Sequence, residues 1–118
     1  MSLVVAPPNQ VKTRVYFNVP RADALGTEKQ DVVATIRKLY AEEKENFMES
    51  VGEKKDVDVI RELVVDVKGF LDADKNEIPW SDDLIHQIKD IDYIVTPLAR
   101  ECISVQDESM RKVLQQKN

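Results

Sequence analysis

The sequence predicts a mainly α-helical domain of about four to five helices, with a β-strand or hairpin at its N-terminus. Through most of the chain apolar residues recur every three or four positions, which is typical of amphipathic helices. One stretch near the N-terminus instead alternates apolar and polar residues, which indicates a strand. The length of 118 residues suits one core of moderate size.

We expect a single globular domain over residues 11–114. Residues 1–10 contain Pro7 and Pro8 and show no periodic pattern, so we expect them to form a flexible tail. Residues 115–118 are expected to fray. No internal repeat or low-complexity linker divides the domain further.

The composition is acidic, with 22 acidic and 17 basic residues and a net charge of −5. Nucleic acids and anionic membranes both require a basic surface, so neither is the expected partner. No apolar run reaches the roughly 18 residues of a membrane span, and the N-terminus lacks the features of a signal peptide. We therefore expect a cytosolic protein. The single Cys102 fits that compartment and is expected to pack in the interior.

The alternating stretch runs from Val11 to Val19 and is rich in β-branched and aromatic residues. Its apolar face comprises Val11, Thr13, Val15, Phe17 and Val19. Pro20 is expected to end it. A lone strand leaves its backbone groups unpaired. This strand must therefore form a hairpin with a weak strand, pair with another subunit, or stay partly disordered until a partner arrives. Pairing with another subunit would give a homo-oligomer.

Two helical regions are expected in the middle of the chain. In the first of them, Phe47, Met48 and Val51 either continue one helix or begin a separate one. Thr27 and Gln30 fit a capping box, and Gly52 is expected to stop the helical region that follows it. The apolar positions of the first helix are Val32, Val33, Ile36, Leu39 and Tyr40. Asp56 or Asp58 is expected to cap a second helix, which is expected to close at Gly69. Its buried stripe is expected to comprise Val57, Ile60, Leu63, Val64 and Val67.

The acidic residues 72–76 match the first half of an EF-hand calcium loop. The second half departs from that motif. Glu77 stands where the sharp turn needs glycine, Pro79 cannot donate to a paired loop, and Asp83 is too short for the usual bidentate glutamate. We therefore expect no metal site, and favour an Asx-type turn that holds an elbow between two helices.

Trp80 follows the elbow and is interpreted either as a buried anchor or as an exposed partner contact. Ser81 is a suitable N-cap for the next helix. The last helix is expected to begin near Ile91 and to bend at Pro97.

Residues for catalysis are few. The only histidine, His86, has carboxylate neighbours but no nucleophile or second base. Asp90 and Asp92 would point apart on a helix. We therefore expect no enzymatic activity, no catalytic residues and no cofactor.

Four segments, taken in order, resemble the tail assembly chaperones of long-tailed bacteriophages. They are the strand ending in Val19-Pro20, DVDVIRELVVDVKGF, the acidic turn DADKNEIPWSDDL, and DIDYIVTPLARECI. The likeness covers roughly 11–104. The chain departs from the family pattern where Val67 replaces an aromatic residue, Asn76 or Glu77 replaces the turn glycine, and Trp80 replaces phenylalanine.

The resemblance implies a non-enzymatic, mainly helical protein of the host cell cytoplasm. Such proteins bind the tape measure protein, keep it soluble and help to recruit tail tube subunits. An exposed apolar patch or strand edge would serve that role. The candidate partner-binding residues are Val15, Phe17, Val19 and Trp80. A small acidic regulatory module that binds another protein, or a calcium-binding module, are the alternative interpretations.

Overall fold

The structure, a computed structural model, describes residues 8–107 and combines a three-stranded antiparallel sheet with four α-helices. The prediction of a mainly α-helical domain is therefore wrong. The elements are β1 (Gln10–Pro20), β2 (Thr27–Arg37), α1 (Ala41–Ser50), a short 3₁₀ turn (Val51–Glu53), α2 (Asp56–Leu63), β3 (Val64–Lys68), α3 (Asp82–Ile88) and α4 (Asp92–Gln106). The strands lie in the order β1-β2-β3.

The hairpin of β1 and β2 overturns the prediction of a helix starting at Thr27. The two strands pair along their whole length. The inward residues of β2 are Val32, Ala34 and Ile36, all buried, with the period of two that a strand requires. Val32 and Ile36 also fit one helical turn, and Ala34 between them is too small to make the alternation visible in the sequence. Of the three outcomes left open for β1, the structure shows the hairpin.

The stretch after α2 is a strand where the sequence predicted more helix. Strand β3 pairs with β2, and a β-bulge shifts the register between Thr35 and Ile36. A bulge adds one residue to one strand. Val64 and Val67 therefore both face the core although they are three positions apart. That spacing is also the spacing of a helical stripe, so the pattern predicted the wrong element.

The core lies between the inner face of the sheet and helices α2 and α4. Helix α4 packs against both α2 and β1, and Thr13 Oγ1 donates a hydrogen bond to Glu101 Oε1 at 2.7 Å across that contact. Leu63, Leu98 and Cys102 are buried where these elements meet. The interior position of Cys102 is thereby confirmed, and burial raises the pKa of its thiol to about 12.

Several helix boundaries agree with the sequence. The backbone N–H of Leu84 donates to Ser81 Oγ at 3.2 Å, which confirms Ser81 as the N-cap of α3. Helix α4 begins at Asp92, next to the predicted Ile91, and contains Pro97. The flexible tail and the frayed end were predicted largely for residues outside 8–107.

Candidate functional site

The chain leaves β3 at Gly69, which has a φ of 120°. A Cβ at this position would lie 3.3 Å from both Val32 Cα and Val32 Cγ1. Only glycine combines this backbone conformation with so close an approach to β2. Phe70 and Leu71 follow at once, so Gly69 places them against the end of the hairpin.

The acidic loop then turns around Asp72. Its Oδ1 accepts hydrogen bonds from the backbone N–H of Asp74, at 2.9 Å, and of Asn76, at 3.0 Å. This geometry confirms the predicted Asx-type turn. The turn joins strand β3 to helix α3, however, so the prediction of an elbow between two helices is wrong.

The loop conformation differs from that of a calcium loop. Glu77 stands at the position where an EF-hand requires glycine. Its backbone instead forms an isolated antiparallel β-bridge with Leu71. The left-handed residue is instead Lys75, with a φ of 65°. Within residues 8–107 no group of three or more histidine, cysteine or acidic side chains could hold a metal ion.

A cleft of about 230 Å³ opens where the hairpin, the exit of β3 and the start of α4 meet. Its apolar lining includes Phe17, Val19, Phe70, Leu71, Tyr93 and Ile94. We call this set the apolar cleft. Leu71 is 55% exposed and Tyr93 is 39% exposed, although both are large apolar residues. Exposed apolar side chains beside a concave apolar surface are typical of a binding site.

A row of aromatic rings supports one wall of the apolar cleft. The rings of Phe17 and Phe70 lie 6.1 Å apart. Trp80 stacks on Phe70, with centroids 6.3 Å apart and planes inclined by 19°. Trp80 is half-buried. It therefore combines parts of both interpretations: it anchors the loop, and part of its surface remains accessible.

The structure brings together three of the four predicted partner-binding residues. Phe17 and Val19 line the apolar cleft, and Trp80 adjoins it through Phe70. Val15 lies on the same face of β1 and, like Phe17, is only 3% exposed, but it lines a separate groove between β1 and α4. Sequence reasoning missed Leu71. In the sequence it is only an apolar residue that follows Phe70 at a turn, a position from which it could equally pack back onto the core.

Tyr93 was also missed, because in the sequence it falls on the apolar side of the three-to-four pattern that runs through the last helix. His86 lies exposed in the last turn of α3.

No helix within the described part of the chain has the length and apolar character to cross a bilayer.

Comparison with known proteins gives no relative. No protein-family model, no curated protein and no solved structure matches this chain.

Proposed function

We propose that this protein is a non-catalytic binding protein that holds a helical client through the apolar cleft. The observation that carries the proposal is the exposure of Leu71 and Tyr93 beside a cleft walled by Phe17 and Phe70. Burying these side chains against a client would contribute about 25 cal/mol for each Å² of apolar surface removed from water. The aromatic side chains beside the cleft also belong to the residue types that are enriched at protein–protein interfaces.

The size of the cleft favours one anchoring side chain over a small molecule. Its volume of about 230 Å³ falls below the roughly 300–1,000 Å³ of pockets that enclose drug-sized ligands. An amphipathic helix that lays its apolar face on a groove inserts single side chains at such positions. A long helical protein is therefore a suitable client.

We further propose, from the resemblance in the sequence, that the client is the tape measure protein of a long-tailed phage. In this role the protein acts as a tail assembly chaperone in the host cell cytoplasm, keeps the tape measure protein soluble and helps to recruit tail tube protein. Self-association belongs to the same proposal. A small acidic regulatory module would use the same cleft for another client, and co-purification distinguishes the two functions.

The test is co-expression with the tape measure protein of a long-tailed phage. We expect wild type to keep that protein in the soluble fraction and to co-purify with it. Leu71→Asp should abolish both effects, because a carboxylate in the cleft cannot be buried without a partner. Leu25→Asp is the matched control, since Leu25 is fully exposed in the β1–β2 loop. Equal solubilisation by the two variants, with both folded by circular dichroism, would contradict the proposal.

A further inference from the structure

Strand β1 lies at an edge of the sheet. The hydrogen bonds at the two ends of the hairpin show which of its residues bond to β2 and which direct their backbone groups toward the open edge. Lys38 N donates to Asn9 O at 2.9 Å, and Arg21 N donates to Gly26 O at 3.2 Å. Hydrogen-bonded and non-hydrogen-bonded pairs alternate along an antiparallel ladder. The odd-numbered residues of β1 therefore bond to β2. The residues that direct their backbone groups outward are Lys12, Arg14, Tyr16 and Asn18.

This edge has no backbone partner within residues 8–107. Strand β1 pairs there with β2 alone, and no other backbone hydrogen bond reaches its outward groups. An 11-residue strand with a free edge is a template for another extended segment. Pro20 is consistent with this alternation. Its nitrogen faces away from β2, so the missing N–H removes no hydrogen bond between the two strands.

A groove of about 300 Å³ runs beside the edge, between β1 and α4. Its lining includes Arg14, Tyr16, Asn18, Pro97 and Arg100, together with Glu101, whose carboxylate accepts the hydrogen bond from Thr13. The side chain of Arg14 is 57% exposed, and Arg100 is exposed. Strand and helix thus leave room for one further chain, with basic groups on both sides of it.

We propose that the edge of β1 accepts an extended acidic segment of another protein as a fourth strand. Successive side chains of that segment would alternate between Lys12 and Arg14 on the outer face and Arg100 in the groove. Arg14 already donates to Asp31, which raises the pKa of its guanidinium. A guanidinium has five donors, so Arg14 can also bind an incoming carboxylate.

The charge of the β1 edge favours an acidic segment of another protein over a second copy of this chain. The three basic groups at the edge, Lys12, Arg14 and Arg100, outnumber the carboxylates of Asp31 and Glu101 there, although the chain carries a net charge of −5. Pairing β1 with β1 would bring Lys12 and Arg14 of two copies close together, and like charges across strands are unfavourable. The edge uses side chains other than those of the apolar cleft, so this inference does not rest on the proposed function.

The test uses two fluorescein-labelled nine-residue peptides, one alternating glutamate and threonine, the other alternating lysine and threonine. Fluorescence anisotropy should show at least tenfold tighter binding of the acidic peptide, with the difference shrinking as salt is added. Asn18→Pro removes one outward N–H and should weaken binding at least tenfold. Asn18→Ala keeps that N–H and should bind as wild type does.

A second variant keeps the test valid if Asn18→Pro fails to fold. The double change Arg14→Glu and Arg100→Glu leaves the backbone intact and should reverse the peptide preference. Equal binding of both peptides to wild type would overturn the proposal, as would an unchanged preference in the double variant. So would a dimer, seen by sedimentation, that Asn18→Pro dissociates, because the occupant would then be a second copy.

Discussion

The buried side chain of Gln106 accepts a hydrogen bond from the backbone N–H of Leu39, at 2.7 Å, at the point where β2 ends. Its amide group also donates to the Arg37 carbonyl at 2.6 Å. Lys38 returns the contact, since its Nζ donates to the Val105 carbonyl at 2.7 Å. The last turn of α4 thus forms hydrogen bonds with the backbone just after β2, in the way that a neighbouring strand would. This contact fixes the helix that covers the sheet.

Replacing Gln106 by alanine should destabilise the protein by about 2–4 kcal/mol. The change leaves the Leu39 N–H and the Arg37 carbonyl without this partner and opens a cavity. Urea denaturation followed by circular dichroism measures the loss. Gln87→Ala removes the same groups from an exposed position on α3 and should stay within about 0.5 kcal/mol of wild type. Equal stabilities of the two variants would refute the structural role of Gln106.

Gly69→Ala should also destabilise the fold, by roughly 1–3 kcal/mol. The new methyl group would meet Val32 at 3.3 Å, in a backbone conformation that L-residues rarely adopt. Gly52→Ala is the control, because nothing lies within 4 Å of a Cβ there. We expect its midpoint of thermal unfolding to equal or exceed that of wild type. A Gly69→Ala protein as stable as Gly52→Ala would show that β3 exits differently.

Cys102 should make stability depend on pH in the alkaline range. Its thiol has a pKa of about 12 in the folded protein, against about 8.5 in an unfolded chain. Above pH 8.5 the unfolded state therefore releases a proton that the folded state retains, and stability falls as pH rises. Relative to Cys102→Ala, wild type should lose roughly 2 kcal/mol between pH 8 and pH 10. Parallel pH profiles for the two proteins would show that the thiol is not buried.

The acidic turn gives a prediction about both stability and metal binding. Asp72→Ala removes the acceptor of two backbone hydrogen bonds and should cost about 0.5–1.5 kcal/mol. Asp74→Ala, two positions along, should be close to neutral by the same urea assay. Calorimetric titration with calcium should give no binding heat. A calcium-dependent rise in melting temperature, lost in Asp72→Ala, would instead support the calcium loop.

Local chemistry made part of this fold predictable. The Asx turn at Asp72, the cap at Ser81, the strand from Val11 and the start of α4 each depend on residues adjacent in sequence. These features followed from hydrogen-bonding capacity and periodicity. The burial of Cys102 was also predictable, because the sequence places it on the apolar side of a helical pattern.

The remaining parts depend on contacts between distant residues. Thr27 and Gln30 form a capping box in the sequence, yet pairing with β1 makes that segment a strand. The bulge opposite Ile36 gave β3 the spacing of a helix. The apolar cleft joins Phe17, Leu71 and Tyr93, and only the folded chain brings them together.

The most direct test of the proposed function uses Trp80, the single tryptophan of the chain, as a reporter. Because Trp80 stacks on Phe70 beside the apolar cleft, a tryptophan-free helical fragment of the tape measure protein should shift its fluorescence on binding. Wild type and Leu25→Asp should give the same titration curve, and Leu71→Asp should bind at least tenfold more weakly. If the fragment binds Leu71→Asp as tightly as Leu25→Asp, or binds without changing the emission of Trp80, the apolar cleft is not the client site.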